Sequence, residues 1–420
     1  MWKFIHAADI HLDSPLRRLS RCENGPISLL REATRRALSN LFDLAIEEQV
    51  AFVILAGDLY DGDWDDARTG LFMVSQIARL REANIQVFAI AGNHDAANRM
   101  TRNIRLPDNA QYLANRQPQT IVLDAIGAAI HGQGFENQSV TDNLARGYPV
   151  RRPDCFNIGV LHTSVDGREG HDNYAPCSLT DLSNKEYDYW ALGHIHTREV
   201  LCADPIIAFS GNLQGRHIRE KGPKGAFLVT VDGRRATAEF RALDAVRWEA
   251  VEIDITALRD ADELLEALHA QLARAVPQSE GRPLVVRVEL TGSGPLHHPL
   301  AARPDRWDEQ FRAIAADHGA ADVWLEQIKI RTRAPESPPH ERASEGPWSE
   351  VDRIMERAMS DDQLLHELAN QLRDLGAKLP GELTTVNDGI RIDDPTWLRS
   401  TLTSVSSLLH ERLRAGADRP

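Results

Sequence analysis

Side chains that can bind metal ions stand where five apolar segments in the first half of the chain come to an end. They occur in the motifs Asp9-Ile10-His11, Gly57-Asp58, Gly92-Asn93-His94-Asp95, Leu161-His162 and Gly193-His194-Ile195-His196. Residues two apart in a strand point to the same side, so Asp9 and His11 present two ligands in one direction. The pair His194 and His196 does the same. Carboxylate, amide and imidazole groups without thiolates suit a pair of divalent transition-metal ions and argue against a structural zinc site.

A single histidine at the end of a strand is more often a capping or core residue than a ligand. Five strand ends that all carry such polar residues are poorly explained in this way. Glycine precedes the polar group in three of the five motifs. Glycine allows the chain to turn sharply and lets the backbone approach a ligand closely. The five strand ends are therefore predicted to hold metal.

The stretch LAGDLYDGDWDD, residues 55–66, places five aspartates directly after an apolar run. Asp61, Asp63 and Asp65 have the spacing of an EF-hand calcium loop. That loop needs glycine at its sixth position and glutamate at its twelfth, and this chain has neither there. A solvated acidic loop accounts for the later aspartates, but Asp58 needs a different role.

Short apolar runs alternate with amphipathic helical patterns through the first half of the chain. Continuous apolar runs predict strands that are buried on both faces, so helices must cover the sheets from outside. The predicted strands are 4–10, 50–56, 85–91, 120–130, 156–162, 187–192, 206–209 and 226–231, and the predicted helices are 27–48 and 67–83. This pattern is typical of an α/β sandwich.

The second half of the chain has a different organisation. Strands at 248–255, 284–290 and 323–330 alternate with helices at 261–276 and 306–317. A stretch with four prolines follows at 333–348, and helical patterns resume beyond it. We therefore predict a first domain at 1–245, a small α/β domain at 246–333, a Pro-rich linker at 334–348 and a helical C-terminal region at 349–420.

The composition is that of an ordinary globular protein, with 42% hydrophobic and 26% charged residues among 420. The N-terminus has no signal-peptide pattern, and no apolar run is long enough to span a membrane, which predicts a cytoplasmic protein. The four cysteines form no C-x-x-C pair and are too scattered for a disulfide framework. They are expected to be reduced and structural.

The net charge of −14 argues against a protein that holds nucleic acid by bulk electrostatics. Most of this acidity is C-terminal, because residues 1–250 carry 28 Lys and Arg against 32 Asp and Glu, whereas residues 251–420 carry 20 against 30. A local basic segment runs from Arg216 to Arg235. It could contact phosphates, but it has no interleaved aromatic residues to stack on bases, and a solvated hairpin explains it equally well.

The ordered motifs D-x-H, G-D-x-x-[DH], G-N-H-[DE], a lone His and G-H-x-H resemble the calcineurin-like metallophosphoesterase superfamily over about residues 4–210. The segments FIHAADIHLDSP, GNHD and SGNLQGRHIREKGPKG look more narrowly like the bacterial SbcD and YhaO type of DNA repair exonuclease. The resemblance implies a sandwich of two mixed β-sheets flanked by helices. It also implies that the domain after residue 246 caps the metal site.

The resemblance further implies two ligand sets and a proton donor. One ion would be held by Asp9, His11, Asp58 and His196, and the other by Asp58, Asn93, His162 and His194. Asp58 would bridge the two ions, which the family resemblance favours as manganese, although iron or zinc also fits these ligands. His94 would protonate the leaving oxygen, and Asp95 would fix the His94 ring.

Asp61 departs from the pattern of many SbcD-type exonucleases, which have histidine at that position and use it to steer the phosphate. An ionised aspartate only accepts hydrogen bonds and repels phosphate. We therefore expect Asp61 to orient a metal ligand or to block the path of duplex DNA, unless it is an ordinary loop carboxylate.

The leading hypothesis is a metal-dependent phosphodiesterase that acts on DNA as an SbcD-type nuclease in DNA repair. The candidate DNA contacts in the basic segment are Arg216, Arg219, Lys221 and Lys224. The resemblance implies an SMC-like coiled-coil ATPase and a second copy of the chain as partners, with the C-terminal helices docking the ATPase or packing on themselves. A small-molecule phosphoesterase and a non-catalytic DNA-end binding scaffold are the alternatives.

Overall fold

The computed structural model describes residues 1–14, 27–61, 68–97, 106–167, 174–319, 323–335, 347–376, 378–379 and 390–417. The chain forms two compact units. The first consists of Met1–Glu249, Val276–Val286 and Ala321–Glu326. The second consists of Ala250–Ala275, Arg287–Ala320 and Gln327–Pro420. All the predicted metal ligands belong to the first unit.

The first unit contains two six-stranded sheets. In spatial order the first sheet consists of β12 (Arg235–Ala242), β11 (Gly225–Asp232), β1 (Trp2–Ala7), β2 (Phe52–Ala56), β3 (Gln86–Ile90) and β4 (Ala110–Tyr112). Strands β1 to β4 run parallel to one another, and β11 pairs antiparallel with both β1 and β12. The parallel half aligns the carboxyl ends of β1, β2 and β3 at one edge, which is where the first three motifs lie.

The second sheet consists, in spatial order, of β5 (Gln119–Leu123), β6 (Ala128–Gln133), β7 (Phe156–His162), β8 (Tyr189–Gly193), β10 (Ile206–Phe209) and β9 (Glu199–Ala203). Its four central strands are parallel, and the two edge strands are antiparallel to their neighbours. The single strand predicted at 120–130 is wrong. The chain turns between β5 and β6 at Gly127, whose φ is 62°, and apolar residues on both sides of the turn hid it.

Helices cover the first sheet from outside. The helices of the first unit are α1 (Ile27–Glu47), α2 (Arg68–Glu82), α3 (Asn93–Ala97) and α4 (Leu179–Ser183). Apolar residues of α1 and α2, such as Phe42 and Ile77, pack on the outer face of β1 to β3. Between the sheets, Phe4 and Ile54 pack with residues of β6, β7 and β8 such as Ile158. Burial on both faces explains why these strands are almost continuously apolar.

A three-stranded sheet has the order β13 (Arg247–Asp254), β14 (Leu284–Thr291) and β15 (Val323–Ile330). The helices along this part of the chain are α5 (Ala261–Gln278), α6 (His297–Ala302) and α7 (Pro304–Asp317). The C-terminal helices are α8 (Pro347–Ser360), α9 (Asp362–Gly376) and α10 (Pro395–Ala417). Residues 336–346, which make up most of the predicted linker, lie outside the described residues.

The predicted fold class is confirmed: two mixed sheets with flanking helices are followed by a small third sheet and C-terminal helices. Three strands were not predicted from the sequence: the short edge strands β4 and β9 and the outer strand β12. They are only partly buried, so their residues do not form continuous apolar runs. The three cysteines among the described residues are free thiols. No helix in this part of the chain is long and apolar enough to cross a membrane.

Candidate active site

Five of the predicted ligands lie in the short connections that follow parallel strands, whereas Asn93 is the first residue of α3 and His162 is the last residue of β7. Four of them have positive φ angles, which residues other than glycine rarely adopt: Asp9 (51°), His11 (45°), Asp58 (52°) and His194 (99°). Such backbone persists only where the surrounding contacts fix it, and it is concentrated at functional sites. Here the fixing contacts include the bond from the Asp9 N–H to the Gly57 carbonyl, 3.0 Å, and that from the His11 N–H to the Asp58 carbonyl, 3.0 Å. The strained loops therefore hold one another in place.

Two glycines of the motifs are required by close approach. A side chain at Gly92 would collide with the carboxylate of Asp58, and one at Gly193 would collide with the carbonyl of Ala56. In both places the backbone of one loop lies against a neighbouring loop or strand. The expectation that glycine admits such an approach holds at these two positions.

Asp9, His11 and His196 form one compact group, whose ligand atoms lie within 4.8 Å of one another. The Nε2 atoms of His11 and His196 are 3.2 Å apart. The other ring nitrogen of His196, Nδ1, lies 2.7 Å from Oε1 of Glu220 and donates to it. Because Nδ1 carries the proton, Nε2 of His196 presents a lone pair to His11, as a metal ligand does.

His162 has a comparable arrangement. Its Nδ1 donates to the Ala56 carbonyl at 3.0 Å, and its Nε2 lies 3.0 Å from Oδ1 of Asn93 and 3.4 Å from Oδ2 of Asp58, both of which are acceptors. Burial lowers the pKa of His162, but the nearby Asp58 and Asp9 carboxylates and the Ala56 carbonyl together outweigh burial and raise that pKa to about 9. Nε2 therefore sits where positive charge is favoured, and a divalent ion would supply that charge.

Asp58 and His194 complete the set. Oδ2 of Asp58 also lies 4.0 Å from Nε2 of His11, so this oxygen is close to a ligand from each predicted set. The His194 N–H donates to both carboxylate oxygens of Asp9 at 3.1 Å, and its ring centroid is 5.3 Å from that of His162. The structure thus brings all seven predicted ligands together, and their oxygen and nitrogen donors fit two divalent transition-metal ions.

His94 lies beside this cluster, with its ring centroid 5.1 Å from that of His11. Its Nδ1 is 2.9 Å from Oδ1 of Asp61, and its side chain is 37% exposed. The hydrogen bond with Asp61 raises the pKa of His94 above its usual value, against the effect of burial. His94 is thus a partly accessible histidine that favours its protonated form.

The predicted role of Asp95 is corrected. Its carboxylate accepts from the N–H groups of Leu59 and Gly92 at 3.0 Å, and from that of Tyr60 at 3.0 Å, rather than holding the His94 ring. Asp95 therefore ties the loop after β2 to the loop after β3, while Asp61 holds the ring. Burial raises the pKa of Asp95 to about 7.

The basic segment is divided between the interior and the surface. Lys224 is 7% exposed, and its ammonium donates to the His196 carbonyl at 2.8 Å. The Arg216 side chain is 15% exposed and contacts two carboxylates of the site. Arg219 and Lys221 are exposed. Of the four predicted DNA contacts, Lys224 is corrected to an internal residue and Arg216 to a residue of the site, because both cations are taken up by nearby acceptors.

Glu220 was missed as a site residue by reasoning from the sequence, which counted it only as a charge that offsets the basic segment. It is 6% exposed and holds the His196 ring. The Ser14 hydroxyl, which donates to Oδ2 of Asp61 at 2.6 Å, was also missed. An isolated carboxylate within a basic run is a usable signal of internal pairing, whereas no sequence signal identifies Ser14.

Two family profiles and several known proteins match this chain. The profile of the calcineurin-like phosphoesterase family matches residues 3–198, and that of the middle domain of metallophosphoesterase YhaO matches residues 248–333. The uncharacterized metallophosphoesterase YhaO of Bacillus subtilis is 36% identical over 331 residues, which are 78% of this chain and 80% of that protein. A dimetal phosphatase from Danio rerio aligns at 12% identity with a TM-score of 0.34, over 56% of this chain and 98% of that chain.

More distant similarity extends to archaeal proteins. The DNA double-strand break repair protein Mre11 of Sulfurisphaera tokodaii is 27% identical over 235 residues, or 53% of this chain and 60% of that protein. That of Archaeoglobus fulgidus is 26% identical over 315 residues, or 68% of this chain and 67% of that protein. The resemblance found in the motifs is confirmed, and this chain belongs to the YhaO family of calcineurin-like metallophosphoesterases.

Proposed function

We propose that this protein is a two-metal phosphodiesterase that cleaves DNA, as an SbcD-type nuclease in DNA repair. The observation that carries the chemistry is the position of His94, held at 2.9 Å by Asp61 next to the buried ligand cluster. Hydrolysis of an ester needs both an activated nucleophile and a proton for the leaving oxygen. The ligand cluster and His94 are suited to these two requirements.

Bound at this cluster, two divalent ions, for which we propose Mn²⁺, would polarise the phosphoryl group and activate water. Residues of the chain supply the proton for the leaving group and hold the loops of the site in place. Asp61 accepts from Nδ1 of His94, which leaves Nε2 to donate a proton to the departing oxygen. Asp95 keeps the loops that carry Asp58 and His94 in register through its three backbone bonds.

DNA as the substrate is supported by the relatives named as DNA double-strand break repair proteins. The exposed Arg219 and Lys221 remain available for contacts with phosphates. An SMC-like coiled-coil ATPase would supply further positive surface, and a second copy of the chain is the other partner that we propose.

A second candidate is a small-molecule enzyme that hydrolyses phosphomonoesters, cyclic nucleotides or small diesters at the same centre. The internal positions of Arg216 and Lys224 favour it, because they remove two cations from the surface that would contact DNA. A non-catalytic scaffold is the least supported alternative, because a scaffold does not need a proton donor at the metal ligands.

One set of assays separates these functions. The protein with added Mn²⁺ is tested on bis-p-nitrophenyl phosphate, p-nitrophenyl phosphate and linear DNA. A DNA nuclease cleaves the diester and DNA, a small-molecule enzyme leaves DNA intact, and a scaffold cleaves none of them. Intact DNA in the presence of rapid diester hydrolysis would overturn the proposed substrate.

Asp61→His tests whether Asp61 sets the choice of substrate. If the aspartate obstructs duplex DNA, this variant should process a linear duplex faster relative to the bis-aryl diester, with unchanged metal content. An unchanged ratio of the two rates would leave Asp61 only its role in holding His94.

A further inference from the structure

Glu220 is held at a fixed position beside His196, one of the predicted metal ligands. It ends the short 3-10 helix Ile218–Glu220. Its Oε2 accepts from Nδ2 of Asn212 at 2.9 Å and from the Arg216 N–H at 2.8 Å, while its Oε1 accepts from Nδ1 of His196 at 2.7 Å. A buried carboxylate with this many donors has little freedom to rotate. The ring that it holds is therefore fixed as well.

The bond from His196 to Glu220 sets the chemistry of His196. It places the proton on Nδ1, turns Nε2 toward Nε2 of His11 and makes the ring a stronger ligand. Carboxylate, histidine and metal form this arrangement repeatedly in metalloproteins, where the carboxylate fixes the tautomer and raises the basicity of the ligand. The backbone segment that carries Glu220 is itself anchored, since Nε1 of Trp248 donates to the Gly215 carbonyl at 2.8 Å.

Arg216 links this carboxylate to the partner of His94. Its Nη2 lies 3.3 Å from Oε1 of Glu220, and its Nη1 lies 3.5 Å from Oδ2 of Asp61. Nη1 also lies 3.4 Å from the hydroxyl of Ser14, which itself donates to Asp61. A planar guanidinium can span two carboxylates in this way, whereas a lysine ammonium is a single point of charge.

We propose that Glu220 and Arg216 are positioning residues of the metal centre. Glu220 fixes His196 as a ligand of one of the two ions, and Arg216 couples that ligand to the His94–Asp61 pair. This inference rests on the two-metal site of the proposed function, but it does not depend on the substrate.

The test measures binding of Mn²⁺ to the full-length chain by calorimetric titration, with metal content checked by mass spectrometry. Glu220→Ala should weaken one of the two ions by about 10- to 100-fold and leave the other unchanged. Glu220→Gln should restore part of this loss, because its amide oxygen can still accept from His196. Arg216→Met should weaken the same ion by less, and adding it to Glu220→Ala should cause no further loss, since the two residues act as a unit.

Two control variants separate positioning from general damage. Arg219→Met removes a neighbouring exposed cation and should leave both metal affinities unchanged. Asp244→Asn removes a buried carboxylate that pairs with Arg247 at 3.1 Å, and it should lower thermal stability without changing metal affinity. Unaltered affinities in Glu220→Ala, or equal weakening of both ions, would overturn the proposal. A wild-type chain that binds no Mn²⁺ would instead overturn the proposed function.

Discussion

The interior of the sheets and the edge where the strands end both contain fully buried histidines, and the two groups have opposite environments. His6 in β1 has Nε2 3.1 Å from the Leu192 carbonyl and Nδ1 2.9 Å from the Tyr189 hydroxyl. His131 in β6 lies between the Thr120 hydroxyl and the Asn157 side-chain oxygen, at 2.8 and 3.1 Å. Every partner of these interior rings is neutral, so both nitrogens are satisfied by a neutral imidazole.

The edge histidines His162 and His196 each have Nδ1 hydrogen-bonded and Nε2 directed at another predicted ligand. Burial lowers the pKa of His6 to about 3, whereas at His162 the effect of burial is outweighed by nearby acceptors, chiefly the Asp58 carboxylate, and the pKa rises to about 9. Both rings are 0% exposed, so burial does not distinguish a structural histidine from a candidate ligand. For His6 and His162 the difference lies in the partners of the ring nitrogens, which are all neutral for His6 and include the Asp58 carboxylate for His162.

The largest expected effect is at the edge. Asp58→Ala should abolish phosphoester hydrolysis and reduce bound metal from two ions toward none, because Oδ2 of Asp58 lies close to a ligand from each predicted set. Metal content by mass spectrometry and hydrolysis of bis-p-nitrophenyl phosphate provide the readouts. Retention of two ions with full activity would remove the bridging role of Asp58.

His94 separates proton donation from metal binding within the same edge. His94→Ala should keep both ions yet lose about 10²- to 10⁴-fold in rate on a substrate with a poor leaving group, the usual contribution of a general acid. The loss should shrink for p-nitrophenyl esters, whose leaving group departs without protonation. An equal loss on both kinds of substrate would point to misplacement of the phosphate instead.

Asp61 should matter to the rate because it holds His94. Asp61→Asn should reduce the rate on poor leaving groups by about 10- to 100-fold. Combined with His94→Ala it should cause little further loss, since the two residues act together. Steady-state rates of the single and double variants decide the point, and fully additive losses would separate Asp61 from His94.

A variant of His6 tests the interior side of the comparison between interior and edge histidines. His6→Leu should keep both metal ions but lose about 1 to 3 kcal/mol of unfolding free energy at pH 8, because the Tyr189 hydroxyl and the Leu192 carbonyl lose their partner. Urea unfolding in the presence of a chelator measures this loss. Release of metal from this variant would show that the interior and the edge are not independent.

The same variant has a defined pH dependence. The pKa of His6 in the folded chain, about 3, lies below that of an unfolded histidine, about 6.5. The unfolded chain therefore binds a proton that the folded chain does not, so the stabilisation due to His6 is complete above pH 6.5 and is lost as the pH falls toward 3. The difference in stability between wild type and His6→Leu should narrow from pH 8 to pH 5.

The smallest effect is expected from the exposed cations. Neutralising Arg219 and Lys221 together should weaken duplex binding only modestly and reduce the slope of log affinity against log salt by about one for each phosphate that is no longer neutralised. Fluorescence anisotropy with a labelled duplex at several salt concentrations measures the slope. An unchanged slope would place the DNA path elsewhere on the protein.

The fold class and the identities of the candidate ligands could be predicted from the sequence. Apolar runs report burial on both faces of a strand, and the polar residues that follow them report which atoms meet where parallel strands end. The prediction failed where packing rather than pattern decides. The turn at Gly127 lay hidden inside an apolar stretch, and the partly buried edge strands gave no apolar run.

What the sequence by itself determined is the set of donor atoms, because residue type fixes whether a group offers a carboxylate, an amide or an imidazole. Only the tertiary structure decided how those atoms are used. His6 and His162 are equally buried histidines, and they differ in whether a carboxylate lies beside the ring. Asp61 follows β2 and Asp95 follows β3, and the fold places the Asp61 carboxylate, not that of Asp95, beside the His94 ring. These partners are far apart in the chain and come together only when the strands pair. The charge and the tautomer of each ring therefore depend on the tertiary structure.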